Sequence, residues 1–166
     1  MSELQIIVTD ANVLINMIHV DSLALLARLE GLRFVVVEEV IAEVSDPEQA
    51  RALLHAIDSG WIHREPLDNV DGLELFAALA RILGRGEAAA LALAATRGHA
   101  VACDEKRVFR REALARIGEG RILTTPGILL MAIRRGLITV EDANRMKEIL
   151  ARNRFVMTFT SFADLL

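Results

Sequence analysis

Two aspartates stand directly behind short apolar runs. Asp10 closes "IIVTD" (6–10), and Asp104 follows "VAC" (101–103). Two glutamates accompany them: Glu87 after Gly84-Arg85-Gly86, and Glu43 within "EEVIAEV" (38–44). Carboxylates gathered in one pocket repel one another, and proton uptake or a cation must relieve the conflict. Taken singly, each aspartate reads better as a helix N-cap, where Asp accepts backbone N–H bonds. The repeated strand-then-aspartate order is what points to a shared site. Glu87 alone is a favourable charge at a helix start, while its flanking glycines allow a tight turn and a close approach of that carboxylate to other segments. Glu43 and Glu38 flank the apolar stripe of Val40, Ile41 and Val44 on either side, so periodicity leaves the choice between them open. Glu39 and Glu43 are also a like-charge i,i+4 pair, which mildly opposes a helix.

Such acids need a scaffold that brings strand ends together. β-Branched content predicts strands at about 4–9, 33–37, 100–103 and 121–125, with a short extended edge at 61–67 limited by Pro66. Apolar segments at about 11–18 and 21–30 fill the first interval. Helices are predicted at about 38–44, 46–60, 70–83, 87–97, 104–118, from Thr125-Pro126 to Gly136, and at 139–153. In the second of these, Asp46 is the expected cap, Pro47 the first helical residue and Gly60 the stop. This alternation predicts an α/β protein with a mostly parallel sheet covered on both faces. Such sheets carry their chemistry at the carboxyl ends of the strands, near the point where the strand order reverses. No linker or low-complexity stretch divides the chain, so residues 1–166 are expected to form one domain.

Composition narrows the function classes. With 53% apolar residues the chain can bury a core without staples, and its one cysteine excludes a disulfide framework. Cys103 reads as a small buried hydrophobe. The N-terminal run lacks a basic flank, so no signal peptide is expected, and no uncharged apolar run reaches the ~20 residues a bilayer requires. A cytoplasmic protein is the expectation. A net charge of −4 gives no whole-surface attraction to nucleic acid. His19, His55, His63 and His99 are scattered without zinc-site spacing. Arg107, Arg110 and Arg111 have helical spacing beyond Asp104, and Arg85 lies beside Glu87. They could rim a phosphate site, although a solvated face interleaved with Glu105 and Glu112 is the favoured reading. Without tyrosine, and with one tryptophan and six phenylalanines, extensive base stacking is not expected.

The segments "VTDANVLINM", "VVVEEVIAEV", "GRGEAAALALA" and "VACDEKRVFRREALARIG" resemble the PIN-domain ribonucleases, which include the VapC-like toxins of type II toxin–antitoxin pairs. "ILTTPGILLMAIRRGLIT" and "FVMTFTSFADLL" resemble a bacterial and archaeal PIN subgroup, so the likeness spans nearly the whole chain. The resemblance implies a three-layer α/β/α fold around a twisted, mostly parallel sheet. It also implies an Mg²⁺- or Mn²⁺-dependent endoribonuclease. By position, the four family acids fall on Asp10, Glu43, Glu87 and Asp104, which chooses Glu43 over Glu38. Asp10 and Asp104 would bind metal directly, and Glu43 and Glu87 directly or through water. Glu87 departs from the aspartate common at its position. Glu105 stands where the subgroup often has a second acid; Thr9 and Asn12 match its small hydroxyl and amide, and Thr125 a conformationally important threonine. RNA as substrate, an antitoxin partner and a homodimer are further implications. Two competing readings remain, one from the Glu87 departure and the acidic net charge, the other from the strand-end aspartate. A degenerate PIN fold would only bind protein or nucleic acid. A haloacid-dehalogenase-like phosphotransferase ranks lower, since Asp10-Ala11-Asn12 lacks the second acid of D-x-D.

Overall fold

A computed structural model describes residues 3–104 and 106–166. Five strands form one sheet: β1 (Gln5–Thr9), β2 (Leu32–Val36), β3 (His63–Arg64), β4 (Ala100–Ala102) and β5 (Ile122–Leu123). They lie in the order β3-β2-β1-β4-β5, and every pairing is parallel. Ile7 of β1 faces Phe34 of β2 on one side, and Val8 faces Val101 of β4 on the other. The chain moves outward from β1 through β2 to β3, then returns to lay β4 against the far side of β1. The strand order therefore reverses between β1 and β4. Asp10 and Asp104 leave the sheet at the carboxyl ends of these two neighbours.

Helices cover both faces, as the expected three-layer arrangement requires. Between β1 and β2 lie α1 (Ala11–His19) and α2 (Leu23–Arg28); between β2 and β3 lie α3 (Glu38–Glu43) and α4 (Pro47–Asp58). Then come α5 (Val70–Leu79), α6 (Arg85–Arg97), α7 (Arg107–Ile117), α8 (Thr125–Arg134) and α9 (Val140–Arg152). α6 packs on β1 and β4, with α3, α5 and α7 around it, while α1 meets α2, α4, α8 and α9. Residues 88–94 of α6 are fully buried, and alanine fills five of those seven positions. Alanine is the best helix former, and its small side chain lets the helix axis lie close to the sheet.

Helix ends differ from the sequence reading in ways that matter to the site. Asp46 caps α4 as expected, accepting from the Glu48 and Gln49 backbone N–H groups at 3.0 Å. α6 begins at Arg85 rather than 87, so Gly86 lies inside its first turn. α7 begins at Arg107 rather than 104, which puts the cap position on Lys106 and leaves Asp104 outside the helix. α8 is capped by Thr124, whose Oγ1 accepts from the Gly127 N–H at 3.2 Å, and not by Thr125. α5 ends at Leu79, four residues early. The closing segment packs on its own domain. Phe162 is buried, and its N–H donates to Asn144 Oδ1 at 3.0 Å. Among the described residues no helix is long and apolar enough to cross a membrane.

Candidate active site

β1 delivers Asp10 into the end of the sheet. Its backbone N–H donates to the Ala102 carbonyl at 2.9 Å, which extends the β1–β4 ladder by one step and fixes where the side chain leaves. Asp10 occupies the cap position of α1, yet its side chain makes no capping hydrogen bond. The residue is 1% exposed, and its Oδ1 is buried without a partner among the described residues. Oδ2 accepts a weak bond from the Cys103 thiol, at 3.6 Å. Burial is the main reason that its pKa rises to about 6, and the negative charges of Glu87 and Glu43 push the same way. The nearby Ala11 N–H and Cys103 oppose the shift.

Asp104 is treated differently. Its Oδ1 accepts from the Thr125 backbone N–H at 2.7 Å, and its Oδ2 accepts from Asn16 Nδ2 at 2.8 Å and from the Thr125 hydroxyl. Thr125 is fully buried and Asn16 nearly so. Because Thr124 caps α8, Thr125 is left free to turn both its N–H and its hydroxyl to this carboxylate. Asn16 was not among the residues that the sequence singled out. Its signal is an amide on the apolar face of α1, between Ile15 and Met17, where a polar group must find a partner.

Glu43 and Glu87 come from the opposite helical layer. Glu43 Oε1 accepts from the Gly86 N–H at 2.7 Å. A Cβ on Gly86 would lie 2.5 Å from Glu43 Oε2, so the absence of a side chain there is what admits the carboxylate. The glycine pair was expected to position Glu87; Gly86 instead docks Glu43, and Gly84 leaves ordinary space beside Glu87. Glu38 turns to Arg64 at 2.5 Å, at the surface. Glu87, half-buried on α6, is pushed above the ordinary carboxylate range by burial and by Glu43, with Lys106 opposing. Lys106 is one of only two lysines in the chain, a second signal left unused. The four acids share one electrostatic neighbourhood: Glu43 and Glu87 act on Asp10, and burial, Asp10, Glu87 and Asp104 together drive the Cys103 thiol far above its normal range.

The remaining candidates divide. Thr9 is buried, and its hydroxyl is given to the Ile7 carbonyl of its own strand at 3.4 Å. Asn12 is exposed and lines a cleft beside Asp104. Glu105 lies outside the described residues. Arg110 and Arg111 approach Glu119 and Glu112 at 3.8 and 3.6 Å, and the Arg85 guanidinium lies 5.3 Å from the Phe76 ring centre. Arg107 is exposed on α7. Among the described residues no three His, Cys, Asp or Glu side chains form a finished metal cage. The expected four-carboxylate ligand set is thus not assembled in this conformation. Like charges keep apart, and Asp104 and Glu43 satisfy oxygens on protein donors.

The residues nonetheless fit a divalent cation. A buried carboxylate oxygen without a donor, beside three further acids, is relieved by positive charge, and hard oxygen donors suit Mg²⁺ or Mn²⁺. No curated protein matches this chain. A family model described as a PIN domain (DUF3368) matches residues 6–161, and PIN domains are generally nucleases that use divalent metal ions. With that match running from β1 to the closing segment, over a sheet whose strand order reverses beside Asp10, the chain belongs to the PIN-domain family.

Proposed function

We infer that this protein is a divalent-metal-dependent endoribonuclease, with Asp10, Asp104, Glu43 and Glu87 as its acidic centre. The unpartnered, buried Oδ1 of Asp10 carries the reading. An oxygen kept from water, and among the described residues from protein donors, gives up several kcal/mol of solvation unless a ligand meets it, and the adjacent acids make that ligand a cation. When bound, Mg²⁺ or Mn²⁺ supplies a Lewis acid for the scissile phosphate and lowers the pKa of the attacking water. Asp10 and Asp104 would hold it directly, with Glu43 and Glu87 in contact or bridged by water. Thr125 and Asn16 orient Asp104, Gly86 orients Glu43, and Asn12 stands exposed to touch the substrate. Incubating the protein with single-stranded RNA and Mn²⁺ should give cleavage that a chelator stops and Asp10→Asn abolishes. Unchanged cleavage by that variant overturns the assignment.

The unassembled ligand cage favours one second reading, a degenerate domain that binds without cutting. Calorimetric titration with Mn²⁺ separates the two, because a degenerate domain has no site that depends on both Asp10 and Asp104. In the toxin form of the nuclease reading, an antitoxin covers the acidic centre; a short partner that co-purifies and blocks cleavage is the expected sign. A homodimer would cover Val70 and Leu73, apolar residues that α5 leaves 69% and 47% exposed. Light scattering on the wild type and on Val70→Asp tests that surface.

A further inference from the structure

The acidic centre opens to two clefts of opposite character. One, of about 430 Å³, is walled by Glu38, Glu39 and Glu43 with Arg85. The other, of about 230 Å³, has Asp104 at its edge and is otherwise lined by neutral and cationic side chains, among them Asn12, Asn16, His19, Asn153 and Arg154. A polyanionic strand is repelled by the first and admitted by the second. His19 also lines this cleft, its Nε2 lying 3.3 Å from Gln49 Nε2.

Arg154 is the unusual member. It sits just past α9 with a φ of 68°, in the left-handed region that L side chains resist. Its N–H donates to the Ala151 carbonyl at 3.1 Å, and the Phe155 N–H donates to Leu150 at 2.9 Å, a helix ending that glycine normally supplies. Elsewhere this chain does use glycine for left-handed turns after helices, at Gly60, Gly98 and Gly136. Among the described residues the only other side chain placed so is Asp21, a residue type that tolerates the conformation better. Arg154 is exposed, so buried packing does not explain the choice. Like several other arginines, Arg154 has no carboxylate pairing among the described residues; what sets it apart is its backbone and its place on this cleft. A strained, unpaired cation at the mouth of a polar cleft beside Asp104 is placed for a ligand.

We propose that this cleft is the substrate-strand subsite, in which Arg154 binds the backbone phosphate next to the scissile one of a single-stranded RNA. The proposal rests on the nuclease reading for its substrate class. Glycine supplies the test, since Arg154→Gly removes the guanidinium and relieves the backbone at once. Its melting temperature should equal or exceed that of the wild type, whereas its affinity for a fluorescent single-stranded RNA, measured in EDTA, should fall about tenfold. The slope of log affinity against log salt should lessen by about 0.7, the value for one phosphate contact on a single strand. In Mn²⁺, KM should rise with kcat nearly unchanged, and Arg154→Lys should recover much of the affinity. Wild-type cleavage with an Arg154→Gly variant of identical affinity and salt slope overturns the subsite and leaves the nuclease standing. RNA binding without cleavage by the wild type overturns the nuclease, and the same salt slope then still decides the subsite. If the wild type neither binds nor cuts RNA, both fall.

Discussion

Asp10 and Asp104 leave neighbouring parallel strands side by side, yet the surrounding protein treats them oppositely. Asp104 is held by an amide, a backbone N–H and a hydroxyl from two helices. Asp10 is sealed from water, and its described side-chain partner is one weak thiol. Hydrogen bonds to a carboxylate lower its pKa and fix its orientation, while burial without them does the reverse. One acid is thus positioned before any ligand arrives, and the other has bonding capacity that the protein leaves unused. The contrast teaches that an acidic cluster can divide its labour: one side chain is fixed by protein donors, and its neighbour keeps unused bonding capacity.

The largest test of that contrast is Asp10→Asn. RNA cleavage should drop about a thousandfold or more, the scale of losing a central electrostatic group. Stability should move the other way. The folded protein keeps Asp10 protonated up to about pH 6, while the unfolded chain releases that proton near 3.8. The stability contribution of the neutral form is therefore complete below the lower value and lost as pH rises through the upper one. A rise from 3.8 to about 6 corresponds to on the order of 3 kcal/mol. In EDTA, thermal unfolding of wild type and variant should coincide near pH 3.5 and separate by that order at pH 8, with the variant more stable. Coincidence at both pH values would erase the distinction between the two acids.

Thr125→Val probes the other side of the comparison. It removes the hydroxyl from Asp104 while sparing the backbone bond, and should destabilise the protein by about 1.5–3 kcal/mol in denaturant unfolding. Thr125→Ser should retain most of the stability; a stable Thr125→Val beside a destabilised Thr125→Ser would show that volume, not the hydroxyl, matters. Gly86→Ala is gentler on the fold. Alanine gains about 1 kcal/mol of helix propensity, and the atom in its way is the mobile end of Glu43. The variant should melt within a few degrees of wild type, while Mn²⁺ affinity by calorimetry falls about 10–100-fold because Glu43 is displaced. The smallest effect is expected at Cys103, whose thiol is driven upward by burial and the surrounding carboxylates. Iodoacetamide at pH 8 should label it only after unfolding. Rapid labelling of the native protein would mean that Asp10 is less enclosed than described.

Sequence reasoning reached the strand ends because its signals are local. β-Branched runs, an aspartate after each and a proline behind a capping acid lie within a few residues of one another. It could not decide between Glu38 and Glu43 from periodicity, since the decision is made by Arg64 for one and Gly86 for the other. It placed Asp104 at a helix start, when that start belongs to Lys106 and the carboxylate bonds across the molecule to Thr125. Asn16 passed unnoticed because its partner is 88 positions away. What remained hidden was partner choice, which only tertiary contact settles.

The reversal of strand order between β1 and β4 has a consequence for how the protein comes into being. Asp10, just past β1, and Glu43, on the helix after β2, emerge early during synthesis, but the neighbour that brings Asp104 beside them is β4, after a long excursion through β2 and β3. Closing so distant a pairing is slow compared with local helix formation. A growing chain therefore has Asp10 and Glu43 in place before Asp104, and the four acids come together only once its second half has docked.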